Sequence, residues 1–124
     1  MRALVIDDSR AMRMILSRKL EQFGYTVAQA ANGKDALEQI GRQDQGSVSL
    51  FLVDWNMPEM NGLELVQAVR HDHRLSGMRM MMVTTETEMA NVTKAIEAGA
   101  NEYVMKPFTK DAIIDKIRVM GIGV

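Results

Sequence analysis

Four short runs of consecutive apolar residues, Ala3–Ile6, Leu50–Val53, Met80–Val83 and Tyr103–Met105, show no polar alternation. That is the pattern of strands covered on both faces. Thr26–Ala30 forms a fifth, less apolar strand candidate. Between the runs, apolar residues recur at intervals of three and four: Met12, Ile15, Leu16, Leu20 and Phe23; Ala36, Leu37 and Ile40; Leu65, Val66 and Val69; Met89, Val92 and Ile96; Ile113, Ile117 and Met120. This spacing predicts five amphipathic helices, each burying one stripe. Gly24, Gly41 and Gly99 stand where a left-handed residue ends a helix. Asn32, Asn61 and Thr109 stand where a side chain caps a start, and Thr85-x-x-Glu88 reads as a capping box opening the fourth helix.

Strand followed by helix, five times over, predicts an α/β fold: a doubly wound, five-stranded parallel sheet with right-handed crossovers and five flanking helices. By analogy with flavodoxin-like sheets, the strand order is 2-1-3-4-5. A length of 124 residues accommodates one domain over 1–124. Gly41 to Ser49 is a polar connection. With 15 Lys plus Arg against 16 Asp plus Glu, the net charge of −1 provides no global attraction to nucleic acid or to a membrane surface, and neither is expected as a partner. The apolar runs fall far short of the ~20 residues of a spanning helix, and the one after Met1-Arg2 is too short for a signal peptide. Cys 0 excludes disulfides and thiolate chemistry, so the expected location is cytoplasmic.

Parallel topology gathers distant residues. Asp7 and Asp8 follow strand one and Asp54 follows strand three, so all three carboxylates lie at the carboxyl-end edge of the sheet, and adjacent strands one and three bring them into one crevice. Carboxylates ~4 Å apart repel by roughly 4 kcal/mol at an effective dielectric of ~20, so the cluster either raises its pKa values or recruits a cation. Oxygen ligands without cysteine suit a hard ion, and Mg²⁺ fits best. Asp8 and Asp54 are the expected ligands, with Asp7 acting through water. Singly, each Asp reads equally well as a turn residue or helix cap. Thr84-Thr85 after strand four and Lys106-Pro107 after strand five add hydroxyls and a cation to the same edge.

The motifs Val5-Ile-Asp-Asp-Ser9, Val53-Asp-Trp-Asn-Met-Pro-Glu-Met-Asn-Gly62, Val83-Thr84, Ala98-Gly-Ala100 and Tyr103-Val-Met-Lys-Pro-Phe108 together resemble the receiver domain of two-component response regulators, in its short chemotaxis form, over essentially the whole chain. The resemblance implies that Asp54 accepts a phosphoryl group from a phosphohistidine on a sensor histidine kinase. Asp7, Asp8, Asp54 and the main-chain carbonyl of Asn56 would arrange Mg²⁺, and Lys106 would pair with the phosphoryl oxygens. Such chemistry is transfer by positioning: an ionised carboxylate nucleophile, a metal and an ammonium meet the developing charge. The resemblance further implies that Thr84 and Tyr103 form a switch pair, that Asn56 and Glu86 tune dephosphorylation, and that the Lys106–Pro107 bond is cis. The altered surface would be helix four, strand five and helix five, with Ala90, Lys94, Tyr103 and Lys116 facing the target, a flagellar switch or a phosphotransfer protein. The chain is then no enzyme beyond its own phosphorylation and dephosphorylation.

Two further readings remain open: a degenerate receiver acting as a phosphorylation-independent binding module, and a receiver fragment of a larger regulator. A flavin carrier is disfavoured because Asp7-Asp8 repels the phosphate that such a loop must hold. An aspartate-nucleophile phosphatase lacks a second Asp two positions past Asp54. The 12 methionines read as adaptable core filler, with Met14 and Met89 as exposed exceptions that contact partners. His71 and His73 read as a solvated helix end, and Trp55 as a partly exposed reporter beside the acceptor.

Overall fold

The computed structural model describes residues 2–42, 48–55, 60–72, 77–85, 91–106 and 109–120. Strands β1 (Arg2–Ile6), β2 (Thr26–Ala30), β3 (Val48–Asp54), β4 (Arg79–Thr84) and β5 (Glu102–Met105) alternate with helices α1 (Arg10–Glu21), α2 (Gly33–Arg42), α3 (Gly62–His71), α4 (Val92–Ala98) and α5 (Lys110–Val119). All neighbouring strands are parallel, in the order β2-β1-β3-β4-β5. The doubly wound architecture is the expected one.

The strands read as unbroken apolar runs because alternate residues feed two different cores. Leu4, Ile6, Phe51, Val53, Met80 and Met82 pack with Ala36 and Ile40 of α2, Leu65 and Val69 of α3 and Ala95 of α4. Ala3, Val5, Leu50, Leu52, Met81 and Val83 pack with Leu16 and Leu20 of α1 and Ile113 and Ile117 of α5. Met80, Met81 and Met82 are all buried, serving both sides of the sheet as flexible filler.

Most of the punctuation behaves as expected. Asn32 Oδ1 accepts from the Asp35 amide at 2.8 Å, Asn61 and Glu64 form a reciprocal capping box, and Thr109 accepts from the Ala112 amide. Gly24 and Gly99 carry φ of 89° and 124°, the left-handed region that glycine enters without steric cost. Two expectations are corrected. Gly41 lies within α2, which continues to Arg42, because the helical pattern has no positive-φ turn there. The described part of α4 begins at Val92, after Asn91, whose side chain makes no capping bond; the Thr85–Glu88 box expected to open this helix depends on Glu88, which lies outside the described residues. Ile15 and Ile96 leave their apolar stripes, at 47% and 41% exposed. The i, i+4 pair Leu16 and Leu20 faces the sheet in α1, and Ala95 does so in α4, which rotates the preceding or following isoleucine about 100° away. No helix among the described residues is long and apolar enough to cross a membrane.

Candidate functional site

The site is assembled where three strand ends meet. Ile6 of β1 is in register with Val53 of β3, so Asp7 and Asp54 emerge side by side. The Asp7 amide continues the ladder by donating to the Ala30 carbonyl at 3.1 Å. Asp7 Oδ1 accepts from the Ser9 amide at 2.8 Å, and its carbonyl accepts from Arg13 Nη1 at 2.7 Å. Ser9 in turn caps α1 through the Met12 amide at 3.2 Å. The turn that aims Asp7 is thereby tied to the start of a helix.

On β3, the Trp55 amide donates to the Val83 carbonyl, and the Trp55 carbonyl accepts from the Gly62 amide at 3.0 Å, locking the end of the strand that carries Asp54 to β4 and to α3. Gly62 is required there: a Cβ would stand 3.0 Å from Trp55 Cα and 3.1 Å from the Asp54 carbonyl oxygen. Lys106 reaches the same edge from β5, its amide donating to the Thr84 carbonyl at 2.7 Å.

One carboxylate oxygen from each of Asp7, Asp8 and Asp54 lies within 4.8 Å of the others. Asp7 and Asp54 are buried, whereas Asp8 is exposed and leaves the cluster open to solvent. Lys106 Nζ stands 3.4 Å from Asp54 Oδ1 and 4.0 Å from Asp7 Oδ2. Three carboxylates facing this ammonium retain an excess of negative charge. Burial pushes the Asp7 carboxyl above its usual range; the Ser9 amide and Lys106 pull it back down, and neighbouring Asp8 pushes it up again. Asp7 Oδ2 is buried and accepts no hydrogen bond. An all-oxygen donor set with surplus charge, an orphaned buried oxygen and an open side fits a hard divalent cation.

Thr84 is buried at the end of β4, its hydroxyl donating to the Thr85 carbonyl at 3.3 Å. Tyr103 is partly buried on β5, packed against the core shared with α3 and α4. Lys116 lies over its ring, and Lys94 is exposed on α4. Trp55 is partly buried beside Asp54, Met14 is 41% exposed on α1, and His71 is exposed at the end of α3. Asn56, Glu86 and Ala90 lie outside the described residues, as do His73, Met89, Pro107 and Phe108. The sequence reading missed Ser9 and Arg13 as supports of Asp7. Their signal was a serine immediately before a helical pattern and an arginine one turn into it.

The residues 3–118 match the family model described as the response regulator receiver domain. The chain is 41% identical over 121 residues to chemotaxis protein CheY1 of Helicobacter pylori, covering 97% of this chain and 96% of that protein. It is 42% identical over 125 residues to the chemotaxis protein CheY homolog of Campylobacter jejuni, covering 99% and 95%. Among solved structures, chemotaxis response regulator CheY4 of Vibrio cholerae superposes with a TM-score of 0.86 at 30% identity, covering 96% of this chain and 97% of that one.

Proposed function

The chain belongs to the response regulator receiver family, and from that premise we propose that it is switched by phosphorylation of Asp54 in a two-component chemotaxis system. The observation that carries this reading is the placement of the buried Asp54 carboxylate between Lys106, 3.4 Å away, and the carboxylates of Asp7 and Asp8. Asp54 attacks the phosphorus of a phosphohistidine on a sensor histidine kinase. The new O–P bond replaces the N–P bond, whose electron pair returns to the imidazole. Lys106 is positioned to meet the charge on the phosphoryl oxygens. Asp7, Asp8 and Asp54 would hold Mg²⁺, which when bound supplies charge neutralisation to the transferring group.

The added phosphoryl oxygens offer the Thr84 hydroxyl stronger acceptors than the Thr85 carbonyl it now uses at 3.3 Å. Thr84 and Tyr103 then act as a switch pair, and the surface formed by α4, β5 and α5, with Lys94, Tyr103 and Lys116, carries the signal to a flagellar switch or a phosphotransfer protein. The protein acts in the cytoplasm, where such kinases deliver phosphate, and its only catalysis is on itself.

Incubation with acetyl phosphate and Mg²⁺ tests the reading. A single hydroxylamine-labile adduct is expected on the wild type and none on Asp54→Asn. An adduct that survives in Asp54→Asn, or no adduct on the wild type, overturns it.

A further inference from the structure

β5 is the outer strand of the sheet, and its neighbouring side chains alternate between the two faces. Tyr103 belongs to the core lined by α3 and α4, whereas Val104 belongs to the core lined by α1 and α5. Lys116 rises from α5, yet its Nζ lies 4.6 Å from the centroid of the Tyr103 ring. The lysine therefore reaches around the open edge of the sheet to touch an aromatic packed on the opposite side. A second partner holds it there: Glu102 Oε1, 3.0 Å from Nζ. The same carboxylate oxygen accepts from the Tyr103 amide at 3.1 Å. Glu102, Tyr103 and Lys116 thus close a compact ring of contacts in which the carboxylate fixes the cation and the cation covers the aromatic face.

We propose that Glu102 and Lys116 form a clasp that positions the Tyr103 ring in the unphosphorylated protein and so sets how readily the switch is thrown. This rests on the reading of Tyr103 as a switch residue, but the clasp acts before any phosphoryl group arrives. Both members are partly shielded, with side chains 33% and 18% exposed for Lys116 and Glu102, so the pair is less screened than a fully solvated one. A cation over an aromatic face at such a site biases a two-state equilibrium by roughly two- to fivefold. That suits a threshold, since it tilts the ring's population without locking it. Lys116 and Glu102 are positioning residues, touching neither Asp54 nor the acidic cluster. They also join α5 to the α4 side of the sheet through one side chain, so a ring that leaves its place releases Lys116 to Glu102 alone.

Only two tyrosines occur in the chain, Tyr25 and Tyr103, so 3-fluorotyrosine labelling yields two ¹⁹F resonances that Tyr25→Phe assigns. In the unphosphorylated protein, Lys116→Met is expected to move the Tyr103 resonance toward its phosphorylated-state position by a two- to fivefold population change, while Tyr25 stays put. Glu102→Gln is expected to move it in the same direction by less, and Lys116→Arg to restore the wild-type position. The unmoved Tyr25 resonance reports that the variants fold. In parallel, the acetyl phosphate concentration giving half-maximal response falls in Lys116→Met with Asp54 labelling intact. A Tyr103 resonance indifferent to both Lys116→Met and Glu102→Gln overturns the clasp. A wild-type resonance that ignores beryllofluoride with Mg²⁺ overturns instead the role of Tyr103 in switching.

Discussion

Asp7→Asn is expected to make the metal-free protein more stable, although it alters one of the most buried polar groups in the fold. Asp7 faces Asp8 and Asp54 at oxygen separations no greater than 4.8 Å. Each such pair repels by about 3.5 kcal/mol or more at an effective dielectric of ~20. Lys106, 4.0 Å from Asp7 Oδ2, returns about 4 kcal/mol of that. Roughly 3 kcal/mol of repulsion is left, and solvent screening of the exposed Asp8 reduces it to about 1–2 kcal/mol. Asparagine keeps the oxygen that accepts from the Ser9 amide and presents an N–H where the orphaned Oδ2 stood. Urea unfolding in EDTA at low salt, followed through the single tryptophan, Trp55, is expected to show the midpoint raised by about 0.5–1 M.

The effect has a definite pH signature. Burial raises the Asp7 carboxyl above 3.8, so ionising it costs the folded state more than the unfolded one. That cost is fully present above the folded pKa, declines as pH falls through it, and is absent below 3.8, where both states are protonated. The advantage of Asp7→Asn therefore narrows on acidification toward that value. If Asp7 helps hold Mg²⁺ as proposed, added Mg²⁺ is expected to reverse the ranking at neutral pH, because wild type would gain binding free energy that the variant largely forgoes. A variant less stable than wild type in EDTA at pH 7, or a gap unchanged by acid, would refute the repulsion argument.

The supports of the site can be probed separately. Gly62→Ala is expected to cost about 1–3 kcal/mol, because its Cβ would meet Met82 Cε at 2.6 Å and the immovable backbone of Asp54 and Trp55; thermal melting checks it. Arg70→Met is expected to cost about 2–3 kcal/mol by removing donors from the Gly99 carbonyl at 2.9 Å, the Met78 carbonyl at 2.7 Å and Asn101 Oδ1 at 2.8 Å. Hydrogen exchange should then show faster opening at Met80, whose amide donates to that same Asn101 oxygen.

Short-range patterns carried most of the architecture. The unbroken apolar runs of β1, β3 and β4 announce strands covered on both sides, and Asn32, Asn61 and Thr109 announce helix starts, because caps and side-chain alternation depend only on near neighbours. Parallel strands also make residues at strand ends share an edge, so Asp7, Asp8, Asp54, Thr84 and Lys106 could be gathered without coordinates. What lay beyond the letters were quantities set by how elements dock. Whether Ile15 or Leu16 faces the sheet depends on the rotation of α1 about its axis, which packing decides. That Asp7 is buried and raised in pKa while adjacent Asp8 meets solvent depends on the turn pinned by Ser9 and Arg13. The reach of Lys116 around β5 to Tyr103 exists only because that strand is the sheet's last, with α5 beside it, and sequence order alone gives no distance between them.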